Sequence, residues 1–169
     1  MPTRSGENQI RKSQKGQTKD LSVLHEEAGT AAGAQFPSGL PLQLAQVSEQ
    51  LGDMPRALDA LNDAARLSGG NSKTFALRGY ILAKMERIPE AHEVLGMLEA
   101  LGRERYVPPY ACAMIHAGLG EYGPALDGLE RAFEMRDVHL AFLPNDVKWD
   151  PLRADAQFAS LLKRCGFTF

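Results

Sequence analysis

The chain has 169 residues, of which 44% are apolar and 24% charged, and this composition is typical of one globular domain with its own core. The net charge of −2 gives it no general attraction to nucleic acid or anionic membranes, so neither is expected as a partner. Two cysteines are too few for a disulfide scaffold, no stretch reaches the roughly 18 apolar residues of a membrane helix, and the start lacks a secretory signal, so we expect a cytoplasmic protein.

The first 37 residues are predicted to stand apart from the rest. Residues 1–20 carry five cations, and only Ile10 could anchor them in a core, so they are predicted to be a disordered polar tail. A basic arm that contacts phosphate is the alternative, but cations without aromatic residues support it only weakly. Residues 21–37 are predicted to be a short helix, with Asp20 as its N-cap, and a linker.

From residue 38 onwards the sequence repeats itself every 34 residues. Six small or apolar positions coincide three times in one register, which predicts the units 38–71, 72–105 and 106–139. The coinciding sets are Ala45, Gly79 and Ala113; Leu51, Met85 and Leu119; Met54, Ile88 and Tyr122; Ala57, Ala91 and Ala125; Leu61, Leu95 and Leu129; and Leu67, Leu101 and Met135.

Each unit is predicted to be a helix, a tight turn and an antiparallel helix. Gly52 and Gly120 suit the left-handed end of a first helix, and Asp53 can cap the helix that follows. The small residues let the two helices approach closely, whereas the Leu and Met positions fill the space between pairs. Glu86 stands where the other units have glycine, so the middle unit is expected to be the least regular.

The pattern resembles the tetratricopeptide repeat, which has a small residue at position 8, alanine at 20 and a large apolar residue at 24 of 34. Two departures are Leu98, where alanine is usual, and the missing proline near the end of each unit. The resemblance covers residues 38–139. It implies an all-α fold, an α-α superhelix of three helix pairs with a C-terminal capping helix.

The last part of the chain, with "YVPPYA", "AGLGEYGPAL" and "DPLRADAQFASLL", is similar to the closing segment of many bacterial tetratricopeptide arrays. The resemblance implies that residues 140–169 form a capping segment, with a helix from about Pro151 to Arg164 and Trp149 wedged into the junction. Such segments often end signalling or transcription proteins. A regulatory subunit, or a remnant of such a protein that acts through self-association, is therefore the alternative function, and homo-oligomerisation stays open.

No residues form a recognisable catalytic constellation. Cys112 and His116 have a spacing that can hold a metal, but no second pair of ligands accompanies them. His92 and Glu93 lack a nearby nucleophile, and the common phosphate-binding, metalloprotease and hydrolase motifs are absent from the sequence. We therefore expect no enzymatic activity, no cofactor and no metal.

In the family, the first helices of successive units line a concave groove. The resemblance therefore implies a protein–protein interaction module that binds a peptide or a helix from another protein. Tyrosine and methionine are favoured contact residues, and the lysines can meet a carboxylate. Tyr80 and Tyr110 are equally well explained as packing between helices. The residues expected in the groove are Gln46, Gln50, Lys73, Tyr80, Lys84, Tyr110 and Met114.

Overall fold

Seven α-helices and two 3-10 helices make up residues 39–68 and 71–167, the part of the chain that the computed structural model describes; no strand occurs there. The predictions for residues 1–20 and 21–37 lie outside the described residues. The helices are α1 (Leu40–Gln50), α2 (Met54–Ser68), α3 (Ser72–Lys84), α4 (Ile88–Gly102), α5 (Pro109–Leu119), α6 (Tyr122–Glu134), the 3-10 helices Val138–Phe142 and Val147–Leu152, and α7 (Ala156–Arg164). Among them, none has the length and apolar character needed to cross a membrane.

The first six helices form three pairs, and one pair falls within each of the three predicted units. Within a pair, a short turn reverses the chain and the second helix packs along the first. The predicted cap of α2 is present, because Asp53 Oδ1 accepts a hydrogen bond of 3.2 Å from the backbone N–H of Arg56. The all-helical class predicted from the sequence is therefore confirmed for the described residues.

The turns inside the three pairs share one backbone geometry. Gly52, Glu86 and Gly120 have positive φ angles of 77°, 60° and 76°. The residue after each donates its backbone N–H to a carbonyl five residues earlier, at 2.9 Å in all three turns. The expectation of a less regular middle unit is therefore wrong at this turn. Glu86 adopts the left-handed conformation at a cost of roughly 1–2 kcal/mol, which glycine avoids.

The small residues of the repeat lie where paired helices touch. Ala57, Ala91 and Ala125 have no exposed surface, and each lies on the second helix of its pair. In the third pair, a Cβ added to Gly128 of α6 would lie 2.8 Å from the Cβ of Ala113 on α5. The helices therefore approach so closely that a longer side chain has no room at these positions.

Packing between consecutive pairs is unequal. α3 packs along much of α5, whereas α1 meets α3 at only a few places. Close packing of α3 on α5 depends on glycine, because a Cβ on Gly79 would lie 2.5 Å from Ile115 Cδ1. A Cβ on Gly118 would lie 3.2 Å from the backbone oxygen of Tyr80.

The end of the described chain differs from the predicted helix over Pro151 to Arg164. Pro151 lies in the second 3-10 helix, and α7 begins only at Ala156, after Asp155. Asp155 is the N-cap of α7: its Oδ1 accepts a hydrogen bond of 2.7 Å from the backbone N–H of Gln157. The α-helix therefore begins after Asp155. As predicted, Trp149 is fully buried at this junction, and its ring stacks on Phe158 of α7 with centroids 6.5 Å apart.

Candidate binding groove

A groove of about 700 Å³ opens between α1, α3 and α5. Its remaining wall is the 138–152 segment, which contains the two 3-10 helices and runs back across the first helices of the units. The groove is therefore built from four parts of the chain. Its lining residues are Gln46, Gln50, Ser72, Lys73, Ala76, Leu77, Pro108, Tyr110, Ala111, Met114, His139, Phe142, Asn145, Asp146, Val147 and Lys148.

Five of the seven residues that the sequence suggested line this groove. Gln46 and Gln50 come from α1, Lys73 from α3, and Tyr110 and Met114 from α5. The helical spacing of four residues brings Gln46 and Gln50, and likewise Tyr110 and Met114, to the same side of their helices.

Tyr80 and Lys84 lie elsewhere. Both line a second, smaller depression of about 250 Å³, and Val147 and Lys148 belong to the linings of both depressions. The 138–152 segment thus divides what the sequence suggested would be one continuous surface. From the sequence, Tyr80 can be interpreted either as a groove contact or as packing between helices. It is only 7% exposed, which supports packing between helices.

Lys148 holds the dividing segment in place. Its Nζ lies 2.9 Å from Glu49 Oε2 on α1, 3.3 Å from Asp146 Oδ1 and 5.5 Å from the centre of the Tyr80 ring. The Glu49 contact is not aligned as a hydrogen bond, so the two groups are held as an ion pair. Because both side chains are at least nine-tenths buried, this pair joins the first helix of the described chain to its C-terminal segment away from water.

Tyr110 connects α5 to the same segment. Its hydroxyl accepts a hydrogen bond of 3.0 Å from Trp149 Nε1 and lies 3.5 Å from Asp146 Oδ2. Its ring stacks on His139, with centroids 5.4 Å apart. Burial is the main cause of the raised pKa of the Tyr110 hydroxyl, so the group stays protonated at neutral pH and acts as a structural hydrogen-bonding group.

Two groove residues that the sequence did not suggest form its apolar rim. Phe142 is 62% exposed and Val147 is 59% exposed, and both come from the 138–152 segment. The repeat ends at residue 139, before both of these residues, and 3-10 helices lack the apolar periodicity of an α-helix. The only sequence signal is the presence of large apolar residues in a stretch that the repeat does not need for its core.

Of the charged side chains that line the groove, all but one contact a group of opposite charge. Lys148 pairs with Glu49 and Asp146, and His139 Nδ1 lies 2.7 Å from Asp137 Oδ1. Lys73 is exposed at the start of α3 with none of the described carboxylates within ion-pair distance. The groove thus offers an apolar rim, amide groups from glutamine and one positive charge.

The two residues considered for metal binding, Cys112 and His116, lie in surroundings that disfavour it. His116 Nδ1 lies 2.6 Å from Glu121 Oε2, and burial raises the pKa of the Cys112 thiol, which weakens it as a ligand and as a nucleophile. Within residues 39–68 and 71–167, three or more His, Cys, Asp or Glu side chains do not gather into a metal-binding group.

Comparison of the chain with models of protein families, with curated proteins and with solved structures gives no match.

Proposed function

We propose that this protein is a non-enzymatic interaction module of the tetratricopeptide type, which binds a peptide from another protein in the groove between α1, α3 and α5. The groove itself is the observation that carries the proposal. It lies against the first helices of all three units, and five residues suggested by the repeat line it. The periodic left-handed turns at Gly52, Glu86 and Gly120 support the same class of fold.

The groove favours a short peptide as its ligand. Its volume of about 700 Å³ is within the range of small-ligand pockets and accommodates a few side chains, whereas a whole helix needs a longer channel. Val147 and Lys148 line both the groove and the smaller depression, so they lie between the two.

The lining also indicates the chemistry of the ligand. Phe142 and Val147 on the rim, with Met114 below, suit an apolar side chain of the ligand. Lys73 is an exposed charged residue of the same lining and suits a carboxylate. We therefore propose a peptide with an apolar anchor next to an acidic residue.

Selection from a random peptide library, followed by affinity measurement, tests the proposal. The selected peptides should carry an apolar residue and an acidic one. Phe142→Ala and Lys73→Ala should each weaken their binding roughly tenfold, since each removes an exposed contact without opening the core. Met97→Ala is the matched control, because Met97 is also an exposed apolar residue, on α4 and outside the groove.

Two results would overturn the proposal. One is a library that yields no binder to the full chain. The other is a set of peptides whose affinity depends on Met97 but not on Phe142 or Lys73.

A further inference from the structure

A histidine and a buried aspartate meet at the wall of the groove. His139 lies in the first 3-10 helix and belongs to the groove lining. Its Nδ1 lies 2.7 Å from Oδ1 of Asp137, and the same oxygen accepts a hydrogen bond of 3.0 Å from the backbone N–H of His139. The side chain of Asp137 is only 2% exposed, so the carboxylate lies inside the protein and the imidazole lies at the groove.

The aspartate determines which ring nitrogen of His139 carries the proton. A carboxylate oxygen only accepts hydrogen bonds, and Asp137 Oδ1 already accepts one from a backbone N–H. Nδ1 must therefore carry a proton to form the contact at 2.7 Å. In a neutral imidazole the other nitrogen, Nε2, then has no proton and accepts hydrogen bonds.

Nε2 of His139 is available to a ligand. It has no partner in residues 39–68 and 71–167 and is not buried, so solvent reaches it. Tyr110 covers one face of the ring, nearly parallel to it at 5.4 Å, and Asp137 covers the edge that carries Nδ1. The 30% of the side chain that stays exposed is therefore the edge with Nε2, and it belongs to the groove lining.

Helix capping alone does not explain the buried carboxylate of Asp137. Asp146 and Asp155 cap the next two helices in the same way, each accepting from the backbone N–H two residues later. Both are more exposed than Asp137, and the side chain of Asp146 is 20% exposed. Burial of a carboxylate costs free energy that a cap does not require. A buried acceptor that fixes the ring of a groove histidine accounts for the difference.

The position of His139 places Nε2 beside the apolar rim. Side chains three residues apart lie on the same side of a 3-10 helix, so His139 and Phe142 both face the groove. A ligand side chain that packs on Phe142 therefore brings its neighbouring polar groups close to Nε2. Peptides offer a hydrogen-bond donor at nearly every backbone N–H, and hydroxyl and amide side chains add others.

We propose that His139, oriented by Asp137, accepts a hydrogen bond at Nε2 from an N–H or O–H group of the bound peptide. The groove then selects ligands that carry a donor next to the apolar anchor. This inference rests on the proposed function, because it assigns one more contact within the same groove.

Nitrogen NMR of the imidazole rings tests the orientation of His139 without a ligand. The chain has four histidines, and loss of a signal in His139→Phe identifies the ring. At pH 8, where histidine is ordinarily neutral, the ring should be protonated on Nδ1 alone. Asp137→Asn should raise the fraction protonated on Nε2, because an amide donates as well as accepts. Asp155→Asn, the same change at a cap outside the groove, should leave the ring unchanged. A wild-type ring protonated on Nε2, alone or together with Nδ1, would overturn the proposal.

Affinity measurements with a library-selected peptide test the contact itself. N-methylation removes each backbone N–H in turn, and alanine replacement removes each donor side chain, so the two sources of the donor are distinguished. Loss of one particular donor should weaken binding to the wild type roughly tenfold. The same loss should hardly matter to His139→Phe, which keeps an aromatic ring against Tyr110 but has no nitrogen. His92→Phe, the same substitution outside the groove, should respond like the wild type.

A second variant guards against a folding defect. His139→Phe removes a donor from the buried Asp137 carboxylate, whereas Asp137→Asn/His139→Phe removes the charge as well. If removing a donor affects the wild type and this double variant equally, or if no donor of the peptide matters, the inference is wrong. The proposed function would survive that result, since it depends on Phe142 and Lys73. A library that yields no binder would overturn both.

Discussion

The α3–α5 interface and the α1–α3 interface join equivalent helices of consecutive units, yet they differ in how closely the helices pack. Gly118 of α5 faces Tyr80 of α3, and the backbones of the two helices come so close that a Cβ on Gly118 would lie 3.2 Å from the backbone oxygen of Tyr80. At the other interface α1 and α3 touch at few places, and the space between α1, α3 and α5 is the groove.

The repeat itself explains the difference. The residue equivalent to Gly118 is Lys84 on α3, one repeat of 34 residues earlier, and the equivalent of Tyr80 is Gln46 on α1. A lysine side chain does not fit at a crossing where even a Cβ lies within 3.2 Å of a backbone oxygen. Two equivalent positions therefore differ between the interfaces: the closed one has Gly79 and Gly118 where the open one has Ala45 and Lys84. Val147 and Lys148 line the space that remains open.

The largest expected effect on stability comes from placing a lysine at Gly118 of the closed interface, because the equivalent residue of the open interface is Lys84. Gly118→Lys should lower the free energy of unfolding by about 4 kcal/mol, because it combines overpacking with burial of a charge. Urea unfolding measures the loss. Gly96→Lys is the control, since a Cβ there meets no atom within 4 Å. Equal stability of the two variants would contradict close packing at Gly118.

The next effect concerns the ion pair that fixes the 138–152 segment across the open interface. Lys148→Met should cost about 3 kcal/mol, because it leaves the buried Glu49 carboxylate without its cation. The double variant Glu49→Leu/Lys148→Met removes both charges and should recover much of that loss in the same unfolding experiment. If the double variant were as unstable as the sum of its single variants, the two groups would not be coupled.

The smallest expected effect concerns the turn inside each helix pair, which has the same backbone geometry in all three pairs. Glu86→Gly should stabilise the protein by about 1 kcal/mol, because it removes an exposed L-residue from the left-handed region. Gly120→Ala should destabilise it by a similar amount for the opposite reason. Thermal unfolding of both variants measures the effect, and changes of the same sign would show that the two turns are not equivalent.

The sequence predicted the helix pairs because small residues, turn glycines and caps recur with one period. Asp53, Trp149 and the buried alanines lie as expected. The sequence did not predict that the 138–152 segment crosses the groove. Its 3-10 helices carry no periodic signal, and the contact between Lys148 and Glu49 joins residues about 100 positions apart. For the same reason the sequence did not show that Tyr80 and Lys84 line a different depression from Gln46 and Met114.

Methyl NMR of methionine-labelled protein, titrated with a library-selected peptide, tests the binding groove most directly. The chain has six methionines, of which Met114 lines the groove while Met97 and Met135 are exposed and lie outside its lining. The proposed function predicts a saturable shift of the Met114 methyl signal, with the Met97 and Met135 signals unchanged. A peptide that binds tightly, shifts Met97 or Met135 and leaves Met114 in place would contradict it.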